Sequence, residues 1–342
     1  MLIMKTTIKD VARETGMSVS TVSLVLSGKD SRLSSSTKEK VLKVAKSLNY
    51  RRNYMASGLI TKKTQVLGVI VPDISNEFFA KIAKGIGAEA EKSNYRIMLL
   101  DTDDSPEKDI AAVNTLLERS VDGMLYIHSA SGKNDCAMEC VKMCEAENTP
   151  VVLLDRVPDN ADVNAVLIDQ EQGGYIATKH LIELGHTRIG CIAGSIATGP
   201  TRKRLYGYMK SLKEAGLLFE QALVVEGGYN VDSGYQLTQT LLDRDVTAIF
   251  AFNDLIAYGT YKYIRDRNLK MPEDLSMVGF DNISFSEIME IPLTTIHQPA
   301  YEMGMAAVQK MIQILNGKEC EKTSVFKPRL IMRKSTSELI RK

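Results

Sequence analysis

The sequence predicts an N-terminal all-α helix-turn-helix headpiece followed by an α/β core of two doubly wound lobes. Three observations carry this: helical periodicity in the first fifty residues, strand-sized apolar runs alternating with helical stretches from Val66 onward, and opposite charge on the two parts.

At 342 residues the chain exceeds one ordinary core and suits a small domain plus a bilobed one. Its 44% hydrophobic and 25% charged residues are those of a globular protein. The net charge of +1 hides an asymmetry: residues 1–64 hold 13 Lys and Arg against 4 Asp and Glu, a charge of +9, and the remainder is −8. One end is built to meet a polyanion. Runs such as Val66–Val71 and Ile249–Phe252 are far short of a bilayer span, so no membrane partner is expected. The opening MLIMKTTIKD lacks the apolar stretch of a secretory signal, and a cytoplasmic location is expected.

Five cysteines suit reduced thiols. Cys136, Cys140 and Cys144 fall at i, i+4 and i+8 on one helix face. Packing on a sheet is favoured over a metal or redox cluster, and no Cys-x-x-Cys pair supports a metal. Neither a metal nor a cofactor is expected.

In the headpiece, Thr7 caps a first helix with Asp10 three residues on and Ile8, Val11 and Ala12 on one face; it ends near Gly16. Ser18 caps a second, whose Val22, Val25 and Leu26 face the core, and Gly28 closes it. Ser34 caps a third, with Val41, Leu42, Ala45 and Leu48 as its apolar set. The first two, joined by GMS, form a helix-turn-helix whose second helix is slim enough for a major groove. A protein-binding trio is the alternative, which the local charge disfavours.

From Val66 the runs LGVIVP, RIMLLD, DGMLYIH, PVVLLD, RIGCIAG, TAIFAF, LSMVGFD and LTTIHQ alternate with helices. Continuous apolar runs imply parallel strands covered on both faces. Ligands in such sheets bind beyond the carboxyl ends of strands, where Asp73, Asn76, Asp101, Asp155, Arg156, Asn253, Asp254, Asp281 and Gln298 fall.

These residues resemble the lactose repressor (LacI/GalR) family over essentially the whole chain. TIKDVARETGMSVSTVSLVLSGK, LNYRRN, MASGL, LGVIVPDISNEFF, PVVLLDR, HLIELGHTRIG, FNDLIAYG, VGFDN and PLTTIHQP follow in the family's order. The resemblance implies a headpiece over 1–52, a hinge helix and linker over 53–64, and a periplasmic-binding-protein-like effector and dimerisation domain over 65–342. It implies base contacts from Val19, Ser20, Leu24 and Leu59, the last wedged into the minor groove. Phosphate contacts are implied from Thr7, Ser18, Thr21, Ser23, Ser34 and Asn53, although helix capping accounts equally well for each lone hydroxyl. Leu24 stands where the family commonly has arginine, which implies a different base preference at that position. Arg52 replaces the proline that usually enters the hinge.

The resemblance further implies an effector cleft lined by Asn76, Phe78, Phe79, Asp155, Arg156, Arg202, Asn253, Asp281 and Gln298. Carboxylate, amide and guanidinium groups suit paired hydroxyls, and aromatic faces suit sugar C–H surfaces. The set is most like a ribose-binding pattern, so a pentose or related sugar is expected first, a sugar phosphate second and a purine less. The implied function is a sequence-specific transcriptional regulator, a repressor rather than an activator, acting as a homodimer on near-palindromic operator DNA. The chain ends soon after RLIMRKST with no heptad extension, which agrees with a dimer. Enzymatic function is not expected: Gly-x-Gly-x-x-Gly after a strand, Gly-x-x-x-x-Gly-Lys-Ser/Thr and Gly-x-Ser-x-Gly are all missing, and His128, His180, His186 and His297 lack metal-ligand spacing. His186 is expected to order a turn. A transport protein of the same core fold would carry no basic headpiece.

Overall fold

The computed structural model describes residues 6–26, 28, 30, 33–50, 63–130, 134–158 and 161–339. Contacts divide the chain into two compact units, Met1–Thr64 and Gln65–Lys342. The expected hinge helix, with Asn53 and Leu59, lies outside the described residues.

The first unit has three helices among its described residues: α1 (Ile8–Thr15), α2 (Val19–Leu26) and α3 (Ser35–Ser47). Asp10 accepts hydrogen bonds from the Thr7 backbone N–H (2.9 Å) and hydroxyl (2.7 Å), fixing the first turn of α1. Gly16 ends the helix at φ 68°, a left-handed conformation that costs glycine little. Val11, Ala12, Val22, Val25, Val41 and Ala45 form the core. Leu42 does not join them. It is 53% exposed, and Val44 packs on the core instead, because 41, 44, 45 and 48 share one helical face and 42 lies off it.

The second unit has two six-stranded sheets. The first contains β1 (Val66–Val71), β2 (Arg96–Asp101), β3 (Gly123–Tyr126), β4 (Val151–Leu154), β5 (Asn164–Ile168) and β11 (Thr323–Phe326) in the order β11-β5-β4-β3-β1-β2, all parallel. The second contains β6 (Ile189–Ala193), β7 (Val224–Glu226), β8 (Ala248–Ala251), β9 (Ser276–Asp281), β10 (Thr294–His297) and β12 (Arg329–Ile331) in the order β12-β10-β9-β8-β6-β7; only β12 is antiparallel. Their helices are α4 (Glu77–Lys92), α5 (Pro106–Glu118), α6 (Asn134–Ala146), α7 (Gln170–Glu183), α8 (Gly199–Glu214), α9 (Val231–Leu242), α10 (Asp254–Asp266), the one-turn α11 (Phe285–Ile288) and α12 (Ala300–Leu315).

Eight strands match the apolar runs. Of the others, β7 and β12 span only three residues, the edge strand β11 is nowhere fully buried, and β5 (Asn164–Ile168) follows β4 with no helix between to set it apart. β2 departs from the expectation of strands covered on both faces, for this edge strand leaves Arg96, Leu99 and Asp101 exposed. Cys140 and Cys144 are buried with Met124, Tyr126 and Leu153 against the first sheet, and burial pushes both thiols up to about 12. They pack as small apolar residues, and among the described residues no group of three metal-ligating side chains comes together. His186, 2% exposed, bonds the Thr247 hydroxyl (2.9 Å) and the Ser337 carbonyl (3.1 Å), so it does order the turn before β6.

The chain passes between the sheets three times, after β5, after β10 and after β11. The helix on the first crossover, α7, packs on the second sheet and on α8; the helix on the second, α12, packs on the first sheet and on α4. Each pairing is made close by reciprocal glycines. A methyl at Gly174 would strike the Arg204 carbonyl and one at Gly207 the Glu171 carbonyl. Gly85 with Tyr301, and Gly304 with Ile82, repeat the device between α4 and α12, and Gly234 and Gly259 repeat it between α9 and α10. Backbones approach here as no bulkier residue would permit.

Candidate ligand cleft and nucleic-acid interface

In the first unit, α2 presents Val19 (42% exposed), Ser20, Ser23 and Leu24 (43% exposed) on its open face, with Val22 and Val25 beneath. Two large apolar side chains stay in solvent on a helix whose other face already fills the core, as a groove-reading surface requires. Ser18 accepts a bond from the Thr21 N–H (3.1 Å), and Ser34 accepts one from the Thr37 N–H (3.3 Å), so both do cap helices. Their oxygens, with Thr7 and Thr21, sit at helix N-termini, where backbone dipoles favour an anion.

In the second unit, the carboxyl ends of both sheets border a cleft of about 400 Å³, open solvent included. Its walls are Asn76, Phe78, Phe79, Asp155, Arg156, Thr198, Pro200, Arg204, Tyr229, Asn253 and Asp281. Seven of these were legible in the sequence. Asn76 and Asn253 are each held by a capping bond: Asn76 Oδ1 accepts from the Phe78 N–H (3.0 Å) and Asn253 Oδ1 from the Ile256 N–H (2.9 Å). Phe78 and Phe79 meet edge to face at 5.2 Å, and the Arg156 guanidinium lies 5.3 Å from the Phe79 ring centre. Arg156 donates to Asp104 (2.8 Å) and the His128 carbonyl (2.8 Å), so its ion-pair partner is not the adjacent Asp155.

Two residues of the sequence-derived set do not line the cleft. Arg202 turns its guanidinium to the carbonyls of Ile196 and Ala197, in the loop before α8. Two positions along a helix is a rotation of about 200°, and Arg204 faces the cleft instead. Gln298 lies behind the wall, its amide donating to Asp281 at 2.6 Å. Thr198, Pro200, Arg204 and Tyr229 were missed. Tyr229 follows β7, one of the unrecognised strands, and its hydroxyl is paired with Thr201.

Arg204 is 4% exposed. Its guanidinium stacks 3.7 Å from the Phe280 ring centre, donates from Nε to Gln170 Oε1 (2.7 Å) and from Nη1 to the Phe252 carbonyl. Asp155 and Asp281 both feel this stacked cation, and Asp155 feels Arg156 besides. Burial raises Asp155 above the usual carboxylate range, with Arg156, Arg204 and a bond from Gln170 drawing it back. Burial raises Asp281 further, opposed by Arg204 and reinforced by the charge of Asp254. Asp254 itself, bonded to Ser286, Thr295 and the Ile283 N–H, is pushed up by burial to about 6.

This geometry sets a pH dependence. A ligand whose hydroxyls donate to Asp155 and Asp281 would favour their ionised forms and release protons on binding. Affinity is therefore complete above the raised values of the free protein and is lost as pH falls through them, beginning above the 3.8 of an ordinary aspartate. Calorimetry across pH should show affinity falling and proton release rising in that window; a flat profile would show that neither carboxylate meets the ligand.

A basic helix-turn-helix unit carried on the same chain as a two-lobed ligand cleft defines a DNA-binding regulator. Residues 7–53 match the bacterial regulatory proteins of the lacI family, and residues 64–334 match the periplasmic binding proteins and sugar binding domain of the LacI family. The HTH-type transcriptional regulator DegA of Bacillus subtilis is 35% identical over 338 residues, 98% of this chain and 99% of that protein. A lac repressor dimer bound to operator and the anti-inducer ONPF superposes with TM-score 0.88 at 28% identity, over 97% of this chain and 99% of that one. A LacI family regulator from Enterococcus faecium with bound ribose matches with TM-score 0.73 at 28% identity, over 80% of this chain and all of its own. The chain belongs to the LacI family of DNA-binding transcriptional regulators.

Proposed function

We propose that the protein is a cytoplasmic, homodimeric repressor whose grip on a near-palindromic operator is set by a neutral sugar, a pentose or close relative, held between the lobes. The single observation that carries the ligand class is the charge arrangement of the cleft. Arg156 is already paired with Asp104, so an entering molecule meets two buried carboxylates and one stacked guanidinium. A polyhydroxyl ligand satisfies that set by donating to the acids and accepting from the arginine, whereas a phosphate would be driven against two carboxylates. Phe78, Phe79 and Tyr229 supply apolar surface for a sugar ring.

The site binds its ligand without turning it over. Binding draws the lobes together, and because coupling between two sites is reciprocal, operator DNA changes ligand affinity by the same factor as ligand changes operator affinity. Val19, Ser20 and Leu24 read base edges, and Thr7, Ser18, Thr21, Ser23 and Ser34 meet phosphates.

Gel retardation with duplexes from the promoter region of its own gene, at low ionic strength and across a panel of neutral pentoses and hexoses, tests this reading. A retarded duplex whose mobility responds to one sugar is expected. Leu24→Arg should shift the preferred base at one position of each half-site, because a guanidinium can pair with guanine where leucine touches only a thymine methyl. Retardation of no duplex would end the reading, and unchanged base preference would remove α2 as the reader.

A further inference from the structure

Gln170 begins α7, directly beyond the first crossover between the lobes, and is 2% exposed. Its single amide bridges the sheets. Nε2 donates to Asp155 Oδ1 (3.1 Å), at the end of β4 in the first sheet, while Oε1 accepts from Arg204 Nε (2.7 Å), on α8 over the second. The two bonds differ mechanically. Gly174 and Gly207 press α7 and α8 together backbone to backbone, so Gln170 and Arg204 belong to one rigid body. Asp155 belongs to the other lobe.

We infer that Gln170 is a positioning residue for effector binding, which registers the second lobe's Arg204 against the first lobe's Asp155 through a bond already made in the free protein. The bond to Arg204 lies within one rigid body, whereas the bond to Asp155 spans the two lobes. Loss of the amide therefore acts on ligand affinity through the carboxylate and the guanidinium, with no contact to ligand required. Both ends of the bridge are polar and buried, so a substituent that satisfies one end and offends the other reverses the bond's effect.

Asp155 at the end of β4 and Arg204 on α8 bond Gln170, and Lys203 on α8 lines the same pocket; Arg156 and Asp281 line the cleft beside Asp155, and Asp169 and Glu171 flank Gln170 in the chain. In Gln170→Leu both bonds vanish. In Gln170→Glu the acceptor for Arg204 survives, but the introduced carboxylate faces Asp155, and the two cannot both be ionised without cost. As pH falls, one of them takes up a proton and donates to the other, restoring the bridge.

The experiment uses the full-length chain labelled with γ-¹³C aspartate, together with D-ribose as probe; the sugar arm rests on the reading above, whereas the carboxyl titration needs no ligand. Removing one hydrogen bond to a charged group weakens binding about tenfold or more. Gln170→Leu should raise the Asp155 titration in the free protein and weaken D-ribose by that factor at every pH. Gln170→Glu should raise it further and reverse the pH slope, D-ribose affinity rising as pH falls through the window in which the wild type loses it. A residue that only packs the helix end moves neither the Asp155 titration nor the sign of the slope. An unmoved Asp155 titration in both variants overturns the proposal whether or not a sugar binds. A moved titration in a protein that binds no sugar supports Gln170 and counts against the sugar reading alone.

Discussion

Replacing Arg204 by methionine removes ligand binding and lowers stability by about 3–5 kcal/mol, whereas the same change at Arg202 leaves binding within about threefold of wild type. The two arginines stand two positions apart on α8 and differ in what surrounds them. Arg204 is the buried cation that draws down both Asp155 and Asp281, and methionine fills its volume while leaving Asp281 without that countercharge and Asp155 with Arg156 alone. Both acids then hold their protons to higher pH, Asp281 above all, and a hydroxyl ligand loses its guanidinium donor together with ionised acceptors. Arg202 spans to the Ile196 and Ala197 carbonyls outside the cleft. Thermal unfolding and calorimetry of the two variants check the contrast; equal losses of binding would return Arg202 to the site.

Removing residues 1–62 should abolish operator binding, by a factor of about a thousand or more at moderate salt, while ligand affinity in the absence of DNA is kept. The basis is the division of labour between the units. The segment 1–64 holds the +9 charge and a core of its own, and the remainder carries −8, so a truncated chain presents DNA with net repulsion. Retardation assays and calorimetry on the same truncated sample give the answer. Residual binding of specific DNA would place a second nucleic-acid surface on the two-lobed unit.

Most of the architecture was open to reading because its signals are strong ones. The runs VLGVIV of Val66–Val71 and MVGF within Ser276–Asp281 are unbroken and lead into Asp73 and Asp281, and a buried parallel strand writes itself that way. Asn76, Asp155, Asn253 and Asp281 were recoverable for the same reason, since each closes such a run or caps the helix that follows it. Tyr229 was not, because β7 is three residues long and no run announces the loop beyond it. Arg204 was missed by helical phase: sequence shows two arginines in TRKRL, and only the rotation of α8, set by Gly207 against Glu171, decides which one turns inward. Gln170 carried no signal, since either glutamine of IDQEQGG is as compatible with solvent as with a buried bridge. Leu42 was misassigned for want of one register position.

The glycine contacts between α7 and α8, α9 and α10, and α4 and α12 leave these helix pairs little room to slide on one another. Displacement begun by a ligand a few ångströms from the crossovers is then conveyed as the turn of a stiff lever, with travel that grows in proportion to distance from the pivot. A softer lobe would absorb that movement in its own interior; this one delivers it, amplified, to its outer surface.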